Sequence, residues 1–483
     1  MDKTEKTSVN EESIGTNNRP TPDDFVAYLP WACNQLELEH IVNVIKTYQV
    51  EYIESGVSDH SKSRNRSKSK AMRKSSRADA MSDRTEDMRT GTTQPPSLAE
   101  DAININAVHD TNEDLVEIAF TKNKFIPRQV LKVIGLIIQF YPQLTSIVID
   151  RGADLSTIYE LEKLLPISNI TEVCFDGTSL IDANYEIILN QEIVRHLSLA
   201  RCKLDDNGVQ NIANKLTYPN PASRSLYLLN LTSNRITDVG AKYLADVLRS
   251  NRCLTYLNLS DNDITDDGAI HILNSLQEFC ITPEEILLSK TRYISFLKRR
   301  NELIADKMKE LKEVDIDKAS KRKTGRSVAT SVRKLKRGNE RESMHSFADT
   351  LASNVYTSDS NLEDKATTIV LNTLGIFNDP FAKNNTVVKN EALYCLGNNT
   401  LTCLNLAFNH LSYNCLKKLV NVLLYQKQAD RKPRGLIYMC IDGNNMPVSC
   451  DEFRIIDAIF ESGFQRNVPT NKKKTQAKSI SSR

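Results

Sequence analysis

The residues from Leu226 to Leu276 decide the fold: LYLLNLTSNRITDVGAKYLADVLRSNRC at 226–253, then LTYLNLSDNDITDDGAIHILNSL at 254–276. The second copy overlays the first without a gap at a spacing of 28 residues. Both share L-x-x-L-x-L-x-x-N-x-I-T-D-x-G-A, followed by apolar residues at helical spacing. The L-x-L portion alternates with period two, which predicts a short strand with one buried face. The Asn that follows predicts a buried amide at the turn, bonded to backbone groups that a curving chain leaves unpaired. In GAKYLADVL, residues Ala241, Leu244, Ala245 and Leu248 fall on one helix face. Thr237 or Asp238 is the candidate N-cap, and Gly240 marks close packing or the start of the helix.

The frame extends both ways. Upstream it holds Val194, Leu197, Leu199, Cys202, Leu204 and Gly208; then Ile170, Val173, Phe175 and Leu180; then Leu144, Ile147 and Ile149. Earlier still come Leu115, Ile118, Phe120, Asn123 and Phe125. Downstream, LTCLNLAFNHL supplies Leu401, Leu404, Leu406, Asn409 and Leu411, and LIYMCIDGNNM supplies Leu436, Met439, Ile441, Asn444 and Met446. Eight repeats result, starting near residues 115, 144, 170, 194, 226, 254, 401 and 436. A ladder of structural asparagines is expected at Asn123, Asn234, Asn262, Asn409 and Asn444, with Thr178 and Cys202 standing in. One such unit cannot bury its own apolar face, whereas stacked units share a continuous core. The expected fold is α/β: a leucine-rich-repeat solenoid, a horseshoe with parallel strands on its concave side and helices on its convex side.

The rest of the chain is organised around that solenoid. Residues 1–23 are polar and expected to be disordered. Residues 24–55 carry apolar residues at helical spacing, among them Ile41, Val44 and Ile45, and predict a helical element docked as a cap; they also hold the only Trp, Trp31. Residues 56–104 are rich in Ser, Lys and Arg and cannot bury enough apolar surface to fold. Residues 105–280 hold the first block of repeats. Residues 281–365 predict a long charged helix over 282–312, with Thr282 as cap and Pro283 at its first position, then a disordered insertion. Residues 366–465 hold the second block, where TTIVLNTLGIF (367–377) is an apolar patch suited to complete the interrupted repeat. The last two repeats are expected to stack directly on the sixth, with the insertion looped out. Residues 466–483 form a basic, disordered tail.

Composition narrows the function. The 483 residues carry a net charge of +2, so no global bias points to nucleic acid or membrane. The basic runs at 61–77 and 318–341 lack interleaved aromatics and read as solvated linkers. The opening MDKTEKTSVN has no apolar core of a secretion signal, and the run Val130 to Tyr141 is too short to span a bilayer. Ten cysteines without a C-x-x-C pair read as reduced thiols, which implies a cytoplasmic setting. No phosphate loop, metal-ligand spacing or nucleophile motif is present, so no catalytic, cofactor or metal residues are expected.

The candidate functional surface is the outward strand face. Between the buried leucines lie Leu228, Tyr256, Cys403 and Tyr438, an apolar and aromatic stripe. Beside it fall Arg201, Asn230, Asn258, Asp261, Asn405 and Phe408. Aromatics flanked by polar groups have the composition of an interface core with a rim. Protein partners are therefore expected, and a small-molecule substrate is not. Two alternatives use the same surface: a regulator of a small GTPase, or a substrate adaptor of a ubiquitin ligase. The first calls for an acidic tail, and this chain carries KKKTQAK instead; for the second, DFVAYLPWACNQLELEH gives only a faint echo of an F-box.

The 28-residue frame resembles the ribonuclease-inhibitor class of leucine-rich repeats. The wider layout has two ITDxGA repeats, then EEILLSKTRYISFLKRRNELI, a basic linker, YCLGNNTLTCLNLAFNHL and LLYQ. It resembles the leucine-rich repeat-containing protein 71 family over roughly residues 110–465. That resemblance implies a non-enzymatic structural component of the axoneme of motile cilia and flagella. One departure is that Cys415 and Cys450 occupy the Gly slot of the last two repeats, which predicts altered helix turns and puts the stacking there in question.

Overall fold

The computed structural model describes residues 19–49, 102–324, 361–447 and 449–465. The expectations for residues 1–18, 50–101, 325–360 and the tail from 466 lie outside them. The chain divides into two compact units. One holds residues up to Leu204 with Leu229–Asn234; the other holds Asp205–Leu228 and the chain from Arg235 on.

The first unit contains helix α1 (Phe25–Gln35) and strands β1 (Val42–Tyr48), β2 (Ile103–His109) and β3 (Leu115–Phe120). Next come α2 (Arg128–Ile137), β4 (Ser146–Ile149), α3 (Leu155–Leu164), β5 (Glu172–Cys174) and β6 (His196–Ser198), and it also takes most of β7 (Leu228–Asn230). These strands lie in chain order in one sheet. From β3 to β6 every pairing is parallel and in register: Ile118, Ile147, Val173 and Leu197 stand side by side. All four point into the core at 0–3% exposure, each adding about 2 kcal/mol of burial. α3 opens on a capping box, in which Asp154 accepts the Thr157 amide and the Thr157 hydroxyl accepts the Asp154 amide.

Two expectations fail at this end. Residues 24–55 do not form one helical element: the helix stops at Gln35 and VNVIKTY becomes β1, leaving Ile41 and Ile45 exposed. The run is rich in β-branched residues, and the edge of β2 offers it a parallel partner. The second failure is the boundary at 104/105. Strand β2 crosses it and forms an antiparallel hairpin with β3, its turn held by Asp110 accepting the amides of Asn112 and Asp114. β2 has no leucine frame, only the alternation of Ile103, Ile105 and Ala107, all buried.

The second unit contains α4 (Asp206–Leu216), α5 (Ala222–Ser225), α6 (Asp238–Ser250), β8 (Tyr256–Asn258), α7 (Asp266–Ser275), β9 (Phe279–Cys280) and α8 (Pro283–Thr324). A further helix, α9, spans 361–374. Strands β10 (Thr386–Lys389), β11 (Ala392–Cys395) and β12 (Cys403–Asn405) follow, then α10 (Tyr413–Ala429), β13 (Tyr438–Cys440) and α11 (Asp451–Gln465). β12 pairs directly with β8 and with β13, both parallel, so the repeats resume across the insertion. The insertion lies outside the array, and its described parts form structure of their own. β10, β11 and β9 form a small antiparallel sheet over Ile281, Phe381 and Cys395. The long helix runs past 312 to Thr324; it starts on a reciprocal cap in which the Thr282 amide donates to Glu285 and the Glu285 amide to the Thr282 hydroxyl. TTIVLNTLGIF does not complete a repeat: most of it is α9, and Phe377 packs on Tyr293 and Phe296 of α8.

The ITDxG motif is a second ladder. Asp206 accepts the Thr237 amide (2.9 Å), its hydroxyl (2.6 Å) and the Gly240 amide (3.0 Å). Asp238 does the same for Thr265 and Gly268 one repeat later. A Cβ at Gly240 would stand 2.5 Å from the Asp206 carboxylate, which is why the slot is glycine. Asp266 continues the series by taking the amide and hydroxyl of Ser412. Cys415 in the Gly slot is buried, which pushes its thiol up to about 12, and β12 keeps its place beside β8.

Candidate protein-binding face

Seven of the strands, β3, β5 to β8, β12 and β13, are followed by a turn that one side chain stitches to its neighbour; after β4 the slot is Gly152. The Asn234 amide donates to the carbonyls of Leu199 and Leu231 and accepts the amides of Cys202 and Leu204. Asn262 donates to Leu259 O and accepts from Ile236. Asn409 donates to Leu259, Leu406 and Ala407 and accepts from Ile264. Asn444 donates to Leu406 and Ile441 and accepts from Asn409 and Leu411. Asn123 bonds both backbone groups of Asn104 on the hairpin strand. The stand-ins do less: the Thr178 hydroxyl donates to Ile149 O, and the Cys202 thiol to Phe175 O.

The residue before each rung is left-handed: Lys122, Gly177, Arg201, Ser233, Asp261, Phe408 and Gly443 all have φ between 54° and 83°. Arg201, Asp261 and Phe408, three of the expected site residues, therefore share a slot whose direction the turn dictates. For Phe408 this backbone is uncommon. Its ring is 63% exposed and lies over Gly443, where any Cβ would collide with it.

The strand face of the second unit brings together most of the remaining candidates. Tyr256, Cys403 and Tyr438 stand opposite one another on β8, β12 and β13. One residue pair along, Asn258, Asn405 and Cys440 form a second row. The Tyr227 carbonyl accepts the Thr255 and Tyr256 amides, which brings Leu228 alongside. Tyr438 is 52% exposed, while Tyr256, Cys403 and Cys440 are half-buried. Burial raises the Tyr256 hydroxyl above its usual value; at Tyr438 the neighbouring Cys440 does so, so both present neutral phenols. The carboxamide oxygens of Asn258 and Asn405 accept the amides two residues on, at Ser260 and Ala407. That leaves two Nδ2 groups side by side, neither with a protein acceptor among the described residues.

Arg201 and Asn230 belong to the first unit. Asn230 is engaged there, donating to the Ser198 hydroxyl (2.9 Å) and accepting from the amide and hydroxyl of Thr232. The outward row in that unit is Glu117, Ser146, Glu172 and His196. Sequence reasoning missed this row and Cys440, although all occupy the same slots of the frame. A second set of buried amides also escaped notice. Asn251 donates to Leu216 O, Asn398 to Leu248 O and Asn251 O, and Gln426 to Leu276 O.

Among the described residues no group of His, Cys, Asp and Glu is arranged to hold a metal, and no helix is long and apolar enough to cross a membrane. A family profile described as Leucine Rich repeat matches residues 193–213, 222–245, 250–273 and 397–420. None of the curated proteins matches the chain. The matched segments carry β6 to β8 and β12 with the helices that follow them, in the geometry above. The chain is a leucine-rich-repeat protein.

Proposed function

We propose that the protein is a non-enzymatic interaction scaffold whose docking surface is the outward face of β8, β12 and β13. The observation that carries this reading is the in-register row Tyr256, Cys403 and Tyr438 beside two asparagine donors that have no acceptor among the described residues. Exposed phenols supply apolar contact area at low entropic cost, and amide donors fix an extended segment by its carbonyls. Phe408, Asp261 and Leu228 form the rim of the same face. The partner is a protein of the ciliary or flagellar axoneme, a reading supported by the resemblance of 193–300 and 392–426 to an axonemal family.

The test is localisation of the tagged full chain in multiciliated cells, compared with the variant Tyr256→Ala, Tyr438→Ala. Signal along motile cilia that the variant loses, at an unchanged melting temperature, supports the reading. A wild-type signal spread evenly through the cell body rules out the ciliary role. Unchanged cilium retention by the variant rules out this face.

A further inference from the structure

A cavity of about 720 Å³ lies in the second unit between the α4–α5 connection, the first half of α8 and residues 374–380. Its walls are fixed. The carboxylate of Asp379, wholly buried, accepts from Arg292 Nε (2.6 Å) and the Ser289 hydroxyl (2.9 Å), the Tyr218 hydroxyl donates to Asn378 O (2.9 Å), and Arg292 sits 5.2 Å over the Tyr218 ring.

The lining is chemically lopsided. Arg224, Arg252 and Arg292 all line it, and no Asp or Glu does among the described residues. Arg292 is neutralised by Asp379, but Arg252 is not. Its terminal nitrogens donate to the carbonyls of Leu248, Arg249 and Asn251 and to the Cys395 thiol, and its buried Nε has no partner among the described residues. Burial pulls the Arg252 pKa down and outweighs the opposing pull of Cys395 and Asp379 nearby. A buried cation solvated only by neutral groups favours an anion beside it. The opposite wall is apolar: Phe296, Leu374, Ile376 and Phe377. The volume falls within the roughly 300–1,000 Å³ typical of small-molecule sites.

We propose that this cavity binds a small amphipathic organic anion, with its carboxylate or phosphate head toward Arg252 and Arg224 and its apolar body against Phe296 and Phe377. The ligand is bound and not converted, and the site is independent of the strand face.

The experiment is calorimetric titration of the purified full chain with 2-naphthoate, 1-naphthyl phosphate and the neutral 2-naphthamide. At least one anion is expected to bind at least about tenfold more tightly than the amide, the loss typical of a charged hydrogen bond. The ranking of the two anions separates a carboxylate source from a phosphate source. Ser295→Trp, at an exposed residue on the cavity wall, fills the space and abolishes binding. Arg224→Gln, at an exposed cation, weakens the anion severalfold and leaves the amide unchanged. Equal binding of anion and amide, no binding of either anion at millimolar concentration, or full binding by Ser295→Trp overturns the proposal.

Discussion

In the first unit the outward row runs Glu117, Ser146, Glu172 and His196; in the second it runs Tyr256, Cys403 and Tyr438. The inward residues of the two rows are interchangeable, since Ile147, Val173, Leu257 and Leu404 are all buried to 3% exposure or less. The outward residues are not. In the first unit the row satisfies itself: the Ser146 hydroxyl donates to Glu117 at 3.1 Å, and His196 Nδ1 lies 2.9 Å from Glu172. In the second, apolar area and two amide donors stay open among the described residues. The core constrains only every other residue of a strand, so its neighbours are free to specialise. A face whose polar groups pair among themselves gains little from a partner, whereas one with open rings and donors gains from being covered.

The turns differ in the same direction, and the largest predicted effect tests that difference. Asn409→Ala strips the partners from three carbonyls and one amide in the second unit and is expected to cost about 3–4 kcal/mol in urea unfolding. Thr178→Val in the first unit removes one bond and costs about 1 kcal/mol. Equal losses would mean that the asparagine and its stand-in are equivalent. Next, Gly240→Ala drives a methyl into the Asp206 carboxylate and should cost about 2 kcal/mol, measured the same way. Asp206→Ala in the same background should then recover little or nothing, because the cap it supplies to Thr237 is already displaced.

The third prediction concerns binding rather than stability. Tyr256→Ala with Tyr438→Ala should weaken partner capture at least about tenfold with less than about 1 kcal/mol of destabilisation. The matched pair Glu172→Ala with His196→Ala should leave capture unchanged. The reverse pattern would move the docking face to the first unit. Phe408→Asn sharpens this, because Asn tolerates the left-handed backbone while removing the ring. Affinity should fall and the melting temperature should hold.

The smallest effect is a pH dependence confined to the first unit. Burial tends to raise the Asp154 carboxyl, but hydrogen bonds from Ser156 and Thr157 outweigh it and hold the pKa below 3.8. The lowered folded value means that this stability is present above the unfolded pKa and is lost as pH falls through the folded one. Acid titration of the wild type should therefore show an increment of instability below about pH 4 that Asp154→Asn lacks. An identical acid profile for both would remove Asp154 from the account.

Much of the fold was legible because the repeat writes the same constraint many times. Two ungapped copies at 226–276 set the period, and eight strands appear where the frame placed them. The asparagine ladder was legible for the same reason: an amide between apolar slots must bond the backbone. β1 and β2 were not, since each occurs once and neither carries the frame. The aspartate ladder was written in the sequence as T-D-x-G, yet its partners lie a repeat apart and only folding joins them. Which outward residues face one another was legible from the register; which of them remain open was not.

By itself the sequence determined the repeat, its buried leucines and its turn amides, because a periodic apolar pattern has only one way to hide itself from water. Tertiary structure alone decided three things. A hairpin closes the first unit; α8, α9 and a small sheet are pinned beside the repeats; and Arg252 lies at a cavity wall with carbonyls and a thiol as its direct partners. Each depends on groups far apart in the chain, whose proximity is fixed by packing and not by spacing.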